Sequence, residues 1–295
     1  MPTLRSSRIR SRARSRDDHV VRQRARLGPH TVNRIGFGAM QLAGPGVFGP
    51  PADPEAARTV LRRAIELGVD HIDTAQYYGP DVVNELIRDA LYPYPEGLRL
   101  VSKVGAGRDG RGGVLSAQHP SELRAGVEDN LRTLQVEALA LVNLRLMGAE
   151  IPMAEQLGEL KALQSEGKIE SIGLSNATVD EIAAALAIVE LGEVQNAYNI
   201  LLRDDEDGLR FCAARGIAYV PFFPIRNTAH PTISEVAAKH AATEAQIALA
   251  WLLLRDEHVL LIPGTSSLTH LEENMAAARI ALDDEDLAAL EDVHV

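Results

Sequence analysis

The stretch His71-Ile72-Asp73-Thr74-Ala75-Gln76-Tyr77-Tyr78-Gly79 holds the residue types best suited to chemistry. A short apolar run of the kind a buried strand gives delivers an acid, Asp73, and five residues later a phenol, Tyr78. Neither group does much alone at neutral pH. The phenol, with an ordinary pKa of about 10, needs a neighbouring cation to bring that value down. Lys103 lies inside another apolar run, Leu100-Val101-Ser102-Lys103-Val104, and calls for a partner such as Asp73. Together the three could pass a proton to or from a substrate oxygen. The same residues would equally make an ordinary buried Asp–Lys pair beside a surface tyrosine, since structural ion pairs also perturb pKa values.

Such a trio needs a frame that presents loop positions at the carboxyl ends of buried strands. Alternating residues around Gly28-Pro29 predict a β-hairpin over about 20–38, ending in the strand Arg34-Ile35-Gly36-Phe37-Gly38. Asp53-Pro54-Glu55 supplies an N-cap, a first-turn proline and an acid at the positive dipole end, and that helix stops at Gly68. Beyond the Asp73 strand the chain reads as strands at 98–104, 138–144, 169–174, 194–197, 218–222 and 259–262. Helices are expected at 84–91, 121–135, 153–166, 178–189, 204–215, 233–240, 243–255 and 270–278, with an extra one at 283–291. Strands that are apolar throughout, separated by helices, predict a parallel sheet covered by helices. About eight such units in one run favour a (β/α)8 TIM barrel over an open doubly wound sheet, here with an N-terminal β-hairpin and extra C-terminal helices. Residues 105–110 match GxGxxG, but no helix opens at the motif, so no dinucleotide fingerprint is read there. A flexible glycine-rich loop over the barrel mouth is expected instead, up to Pro120.

The chain of 295 residues is 46% hydrophobic and 24% charged, values ordinary for a globular protein. No apolar run approaches the length of a membrane span. One cysteine, Cys212, excludes an internal disulfide and a cysteine-based metal site, and the histidines show no metal-ligand spacing. The net charge of −11 hides a split: residues 1–26 hold nine arginines and two acids, leaving 21 basic and 39 acidic residues, or −18, in the rest. An acidic body argues against nucleic acid as the main partner. Residues 1–18 read as a disordered Arg/Ser-rich tail, with a nucleic-acid arm or transit peptide as alternatives, ahead of a single domain over 19–295. No apolar segment follows the arginines, so a secretory signal is not expected and the location is read as cytoplasmic.

From about residue 27 onward the sequence resembles the aldo-keto reductase family. Arg34 to Gln41 is similar to the family's first strand, Asp73 to Tyr78 matches its Asp-Thr-Ala-x-x-Tyr motif, and Lys103 falls where its lysine does. The resemblance implies a (β/α)8 barrel that reduces a small carbonyl substrate with NADPH. It implies that Ser175 and Asn176 of Gly173-Leu174-Ser175-Asn176, with Gln195, hold the nicotinamide amide. Phe222 would stack on the ring, with Pro224 beside it, and Gly264, Thr265, Ser266, His270, Glu273 and Asn274 would take the adenosine phosphate and adenine. Elementary chemistry agrees: an amide-bearing ring suits neutral donors and acceptors and a flat face. Phosphates suit backbone N–H groups and small hydroxyls at a helix start.

Two departures matter. Many members end the fourth strand with a catalytic His, whereas here Arg145 follows Asn143-Leu144. Arginine cannot give up a proton at neutral pH, but it can hydrogen-bond a developing oxyanion. His270 stands where many members carry an arginine for the 2′-phosphate, and Gly264 where some carry a lysine, which leaves NADH as an alternative to NADPH. Asn143 to Gly148, with Met40 to Pro50, is similar to a bacterial branch associated with pyridoxal reduction, and pyridoxal is the first substrate expected. In that reading Tyr78 protonates the carbonyl oxygen, Lys103 oriented by Asp73 stabilises the phenolate, and Arg145 polarises the oxygen. A non-catalytic, cofactor-binding regulatory protein would retain Ser175, Asn176 and Gln195 without turnover. A sugar-phosphate isomerase would need a catalytic Glu or His, and none sits at a convincing strand end. Oligomeric state is not encoded in any motif.

Overall fold

The computed structural model describes residues 23–148 and 151–293. The tail predicted at 1–18 lies outside them. A hairpin of β1 (Arg24–Leu27) and β2 (His30–Asn33) comes first. It is followed by parallel strands β3 (Phe37–Gly38), β4 (His71–Asp73), β5 (Arg99–Arg108), β7 (Leu141–Arg145), β8 (Ile172–Ser175), β9 (Leu191–Ala197) and β10 (Ala218–Phe222). These neighbour one another in chain order from β3 to β10, with the short β6 (Val114–Ala117) attached to β5 on the side. The ring closes through the segment 259–262. Leu261 exchanges backbone hydrogen bonds with Arg34 and Gly36, and Tyr219 exchanges them with His258 and Leu260. The result is the expected (β/α)8 barrel.

Helices alternate with the strands: α1 (Pro54–Glu66), α2 (Val82–Leu91), α3 (Pro120–Leu134), α4 (Met153–Ser165), α5 (Val179–Leu186), α6 (Glu206–Ala213), α8 (Glu244–Arg255) and α9 (Leu268–Ala276). Among the described residues two helices are additional, α7 (Pro231–Lys239) before α8 and α10 (Asp284–Glu291) after α9. α1 shows why the sequence obeys this plan. The Asp53 carboxylate accepts from the N–H groups of Glu55 and Ala56, a cap worth about 1 kcal/mol. Ala57, Val60, Leu61 and Ala64 recur at helical spacing and are buried. Arg34 locks the closing seam: its buried guanidinium donates to the carbonyls of Val259 (2.9 Å), Leu253 (2.8 Å) and Asp256 (2.5 Å), tying strand to α8.

Two apolar layers result. The larger lies between the sheet and the helices. The smaller fills the lower barrel, where Leu27 and Val32 of the hairpin meet Val101, Leu141, Val220 and Leu260. The hairpin therefore plugs the amino-terminal end of the barrel. The expected loop over 105–120 is corrected in part. β5 continues to Arg108 and folds back against β6 in antiparallel register, Gly105 opposite Ala117 and Arg108 opposite Val114. Asp109 makes the turn, its carboxylate accepting from the N–H groups of Arg111 (2.8 Å) and Gly113 (2.7 Å). Glycines usually mark loops, but here cross-strand hydrogen bonds carry the strand past them.

Candidate active site

Asp73 ends β4, and Tyr78 follows in the turn that leads to α2. That turn is held from behind by a buried polar chain. Thr74 donates to Asn84, Asn84 donates to Asn130 and Thr133, and Ser102 donates to Asn130. On β5, Lys103 forms a buried ion pair with Asp73 and donates to the Thr74 carbonyl at 3.2 Å. Its Nζ lies 5.4 Å from the centroid of the Tyr78 ring. Lys103 pulls the phenol's pKa down, as expected, but the net shift is upward. Burial outweighs the pull of Lys103 and pushes Tyr78 well above its ordinary value. Burial works against the Lys103 charge, but the Asp73 carboxylate offsets it and holds the ammonium above its usual pKa. Tyr78 is thus a protonated donor at neutral pH, beside an ammonium that Asp73 helps to keep charged.

These groups open onto a cavity of about 570 Å³ at the barrel mouth. Of the predicted residues, Asp73, Tyr78, Lys103, Arg145, Ser175, Asn176, Gln195, Phe222, Pro224 and Gly264 all line it. Arg145 ends β7 level with Ser175 on β8. Its carbonyl accepts from Gln118 (2.8 Å), and its Nε is buried without a partner. Asn176 (φ 61°) and Phe223 (φ 58°) adopt left-handed backbone where β8 and β10 end, unusual for a phenylalanine and a sign of a constrained rim. Thr265, Ser266, His270, Glu273 and Asn274 lie outside the cavity wall, along the loop and first turns of α9. Thr265 is buried and accepts from the N–H of Ser267 at 3.0 Å. Asn274 is buried with its Nδ2 unpartnered, whereas His270 is exposed.

Sequence reasoning missed Glu193. This buried carboxyl on β9 accepts from Asn143 (2.5 Å) and Gln195 (2.7 Å). Gln195 Nε2 also donates to Asp73 Oδ2 at 2.8 Å. Burial first, and the nearby Asp73 charge second, push Glu193 up to about 7. The signal was available, because an ionisable residue inside an apolar strand had singled out Lys103. The strand was expected to begin only at Val194, however, and it begins at Leu191. Glu193 sits below Gln195 rather than at a strand end, so it offers no mouth-side acid or base for an isomerase. Arg226 was also missed. It lines the cavity with its guanidinium 5.0 Å from the Phe223 ring centroid.

The model of the aldo/keto reductase family matches residues 34–231 and 224–294. The chain belongs to the aldo/keto reductase family. It is an oxidoreductase, as the match and its relatives require. It is 50% identical over 276 residues to pyridoxine 4-dehydrogenase of Escherichia coli K12, covering 90% of this chain and 96% of that protein. Among solved structures it is similar to a thermostable aldo-keto reductase in complex with the inhibitor epalrestat, with TM-score 0.81 and 30% identity over 92% of this chain and 99% of that one. An aldo/keto reductase from Klebsiella pneumoniae, solved with NADP and acetate, gives TM-score 0.78 and 28% identity over 92% of this chain and 95% of that one.

Proposed function

We propose that this aldo/keto reductase reduces an aldehyde to the alcohol with NADPH, and that pyridoxal is such an aldehyde. The observation that carries the reading is Tyr78, protonated and facing the cavity beside the buried Lys103–Asp73 pair. The likeness to pyridoxine 4-dehydrogenase supports the choice of substrate.

The residues present fit a nicotinamide dinucleotide. Gln195 Oε1 is buried without a partner in a cavity residue, as an acceptor for a carboxamide N–H should be. Ser175 and Asn176 add neutral hydrogen-bonding groups, and Phe222 adds a flat face. Thr265 and Ser266 ahead of α9, with the unpartnered Asn274 amide, suit phosphate and adenine. When bound, the reduced cofactor supplies the hydride.

The chain's own residues then handle the oxygen. Tyr78 donates its proton to the carbonyl oxygen as that atom gains charge. A phenolate formed in this buried place is costly, and Lys103 offsets part of the cost. Asp73 holds the ammonium in position. Arg145, whose Nε has no protein partner, hydrogen-bonds the same oxygen. NADPH is preferred in this proposal, with His270, which lacks arginine's planar donor fork, as a weak ligand for its 2′-phosphate.

The test is to mix the purified protein with NADPH, then with NADH, and follow cofactor oxidation over a panel of aldehydes including pyridoxal. Tyr78→Phe should bind cofactor nearly as well as wild type and lose reduction by at least about a thousandfold. Wild-type turnover by Tyr78→Phe would overturn the assignment. Binding without turnover on every aldehyde would favour a regulatory protein.

A further inference from the structure

Glu193 is an expensive residue in its place. It is 2% exposed, it lies inside the barrel, and it shares the Gln195 amide with a second carboxylate, Asp73. The charged groups acting on it are Asp73 from β4 and Lys103 from β5. Its register neighbours on β8 and β10 are the uncharged Gly173 and Ala218, and β7 presents Asn143. An apolar residue would fill the site at less cost.

The hydrogen-bond inventory shows what the carboxyl accomplishes. The Gln195 amide has two N–H hydrogens and one carbonyl oxygen. One hydrogen goes to Asp73 Oδ2 and the other to Glu193 Oε1, at 2.8 and 2.7 Å. The carbonyl, Oε1, is left buried and unpartnered. With Asp73 alone, the amide would be fixed by a single bond and could swing. With two acceptors on the same side its orientation is dictated. Asn143 in turn fixes Glu193, and Gly173 leaves room for this, since a Cβ there would lie 2.2 Å from Asn143 Oδ1.

We propose that Glu193 is a positioning residue: by taking the second hydrogen of the Gln195 amide it aims Gln195 Oε1 at the cavity as the acceptor for the cofactor's carboxamide N–H. The inference rests on the cofactor reading given above. It makes Glu193, remote from the reacting atoms, a determinant of how the chain tells a carboxamide from a group of the same shape without an N–H.

The experiment compares the affinities of NADPH and its 3-acetylpyridine analogue, in which an acetyl group replaces the carboxamide. Wild type should prefer NADPH by about tenfold, the effect of one hydrogen bond with a buried acceptor. Glu193→Gln, which keeps an oxygen acceptor at the same reach, should retain that preference. Glu193→Met should bind the two alike. Should Glu193→Met fail to fold by circular dichroism, Glu193→Asp decides, because its carboxyl is one methylene too short to reach Gln195, and it too should lose the preference. Wild-type binding of neither dinucleotide would sink the cofactor reading and this inference with it. A wild-type preference for NADPH that persists undiminished in the folded Met or Asp variant would sink the Glu193 inference alone.

Discussion

Gly105 has no room for a side chain beside Arg145, each following the last residues paired between β5 and β7, Val104 and Leu144. A Cβ on residue 105 would lie 2.7 Å from the Arg145 carbonyl oxygen, and Gly105 holds φ at 97°, where side chains are strained. The same carbonyl accepts from Gln118 at 2.8 Å. The backbone at Arg145 is therefore set by the absence of a side chain on its neighbour.

Gly105→Ala tests that relationship. It should cost about 1–3 kcal/mol in chemical denaturation, through strain and the close contact. Because Arg145 must shift, kcat/KM for aldehyde reduction should also fall roughly tenfold, with cofactor affinity changed little. Unaltered kinetics in a destabilised variant would show that Arg145 placement does not matter to turnover.

Glu193 makes stability depend on pH in a defined direction. Its carboxyl is raised from an ordinary 4.5 to about 7 in the folded protein. Between those values the folded state holds the proton more often than the unfolded chain, so stability falls as pH rises. Above 7 the deficit is complete, and below 4.5 it vanishes. Glu193→Gln removes this contribution. Relative to wild type it should gain about 1–3 kcal/mol on going from pH 5 to pH 8 in urea melts. Parallel wild-type and mutant profiles would place the titration elsewhere.

Arg34 should be a stability residue with no part in turnover. Its guanidinium donates to three backbone carbonyls at the barrel seam. Arg34→Met strands those acceptors in a buried place and should cost about 3–5 kcal/mol. The expected signature is a lower melting temperature with unchanged KM values at temperatures where the variant stays folded.

His270 lies exposed at the start of α9, beside the small hydroxyls ahead of that helix. His270→Arg adds a fixed charge with a planar donor fork. It should tighten NADPH roughly tenfold and leave NADH within about twofold, measured by fluorescence titration. Equal tightening of both would mean that residue 270 does not reach the 2′-phosphate.

The alternation of apolar strands and capped helices is legible from residue order, because local propensity, capping and hydrophobic period all agree in each unit. Residue order also singled out Asp73, Tyr78 and Lys103, since acids, phenols and amines next to apolar runs are conspicuous without coordinates. How those groups are poised is a matter of three-dimensional packing. The direction of the Tyr78 shift depends on burial against one nearby cation, a balance of three-dimensional distances that spacing does not contain. The strand character of 105–108 depended on a partner, β6, whose pairing supplies the hydrogen bonds that glycine-rich sequence alone does not promise. Glu193 stayed unnoticed for the same reason. In the chain it is two residues from Gln195, whereas Asp73 is 122 residues away, and only closure of the barrel places both carboxyls on one amide.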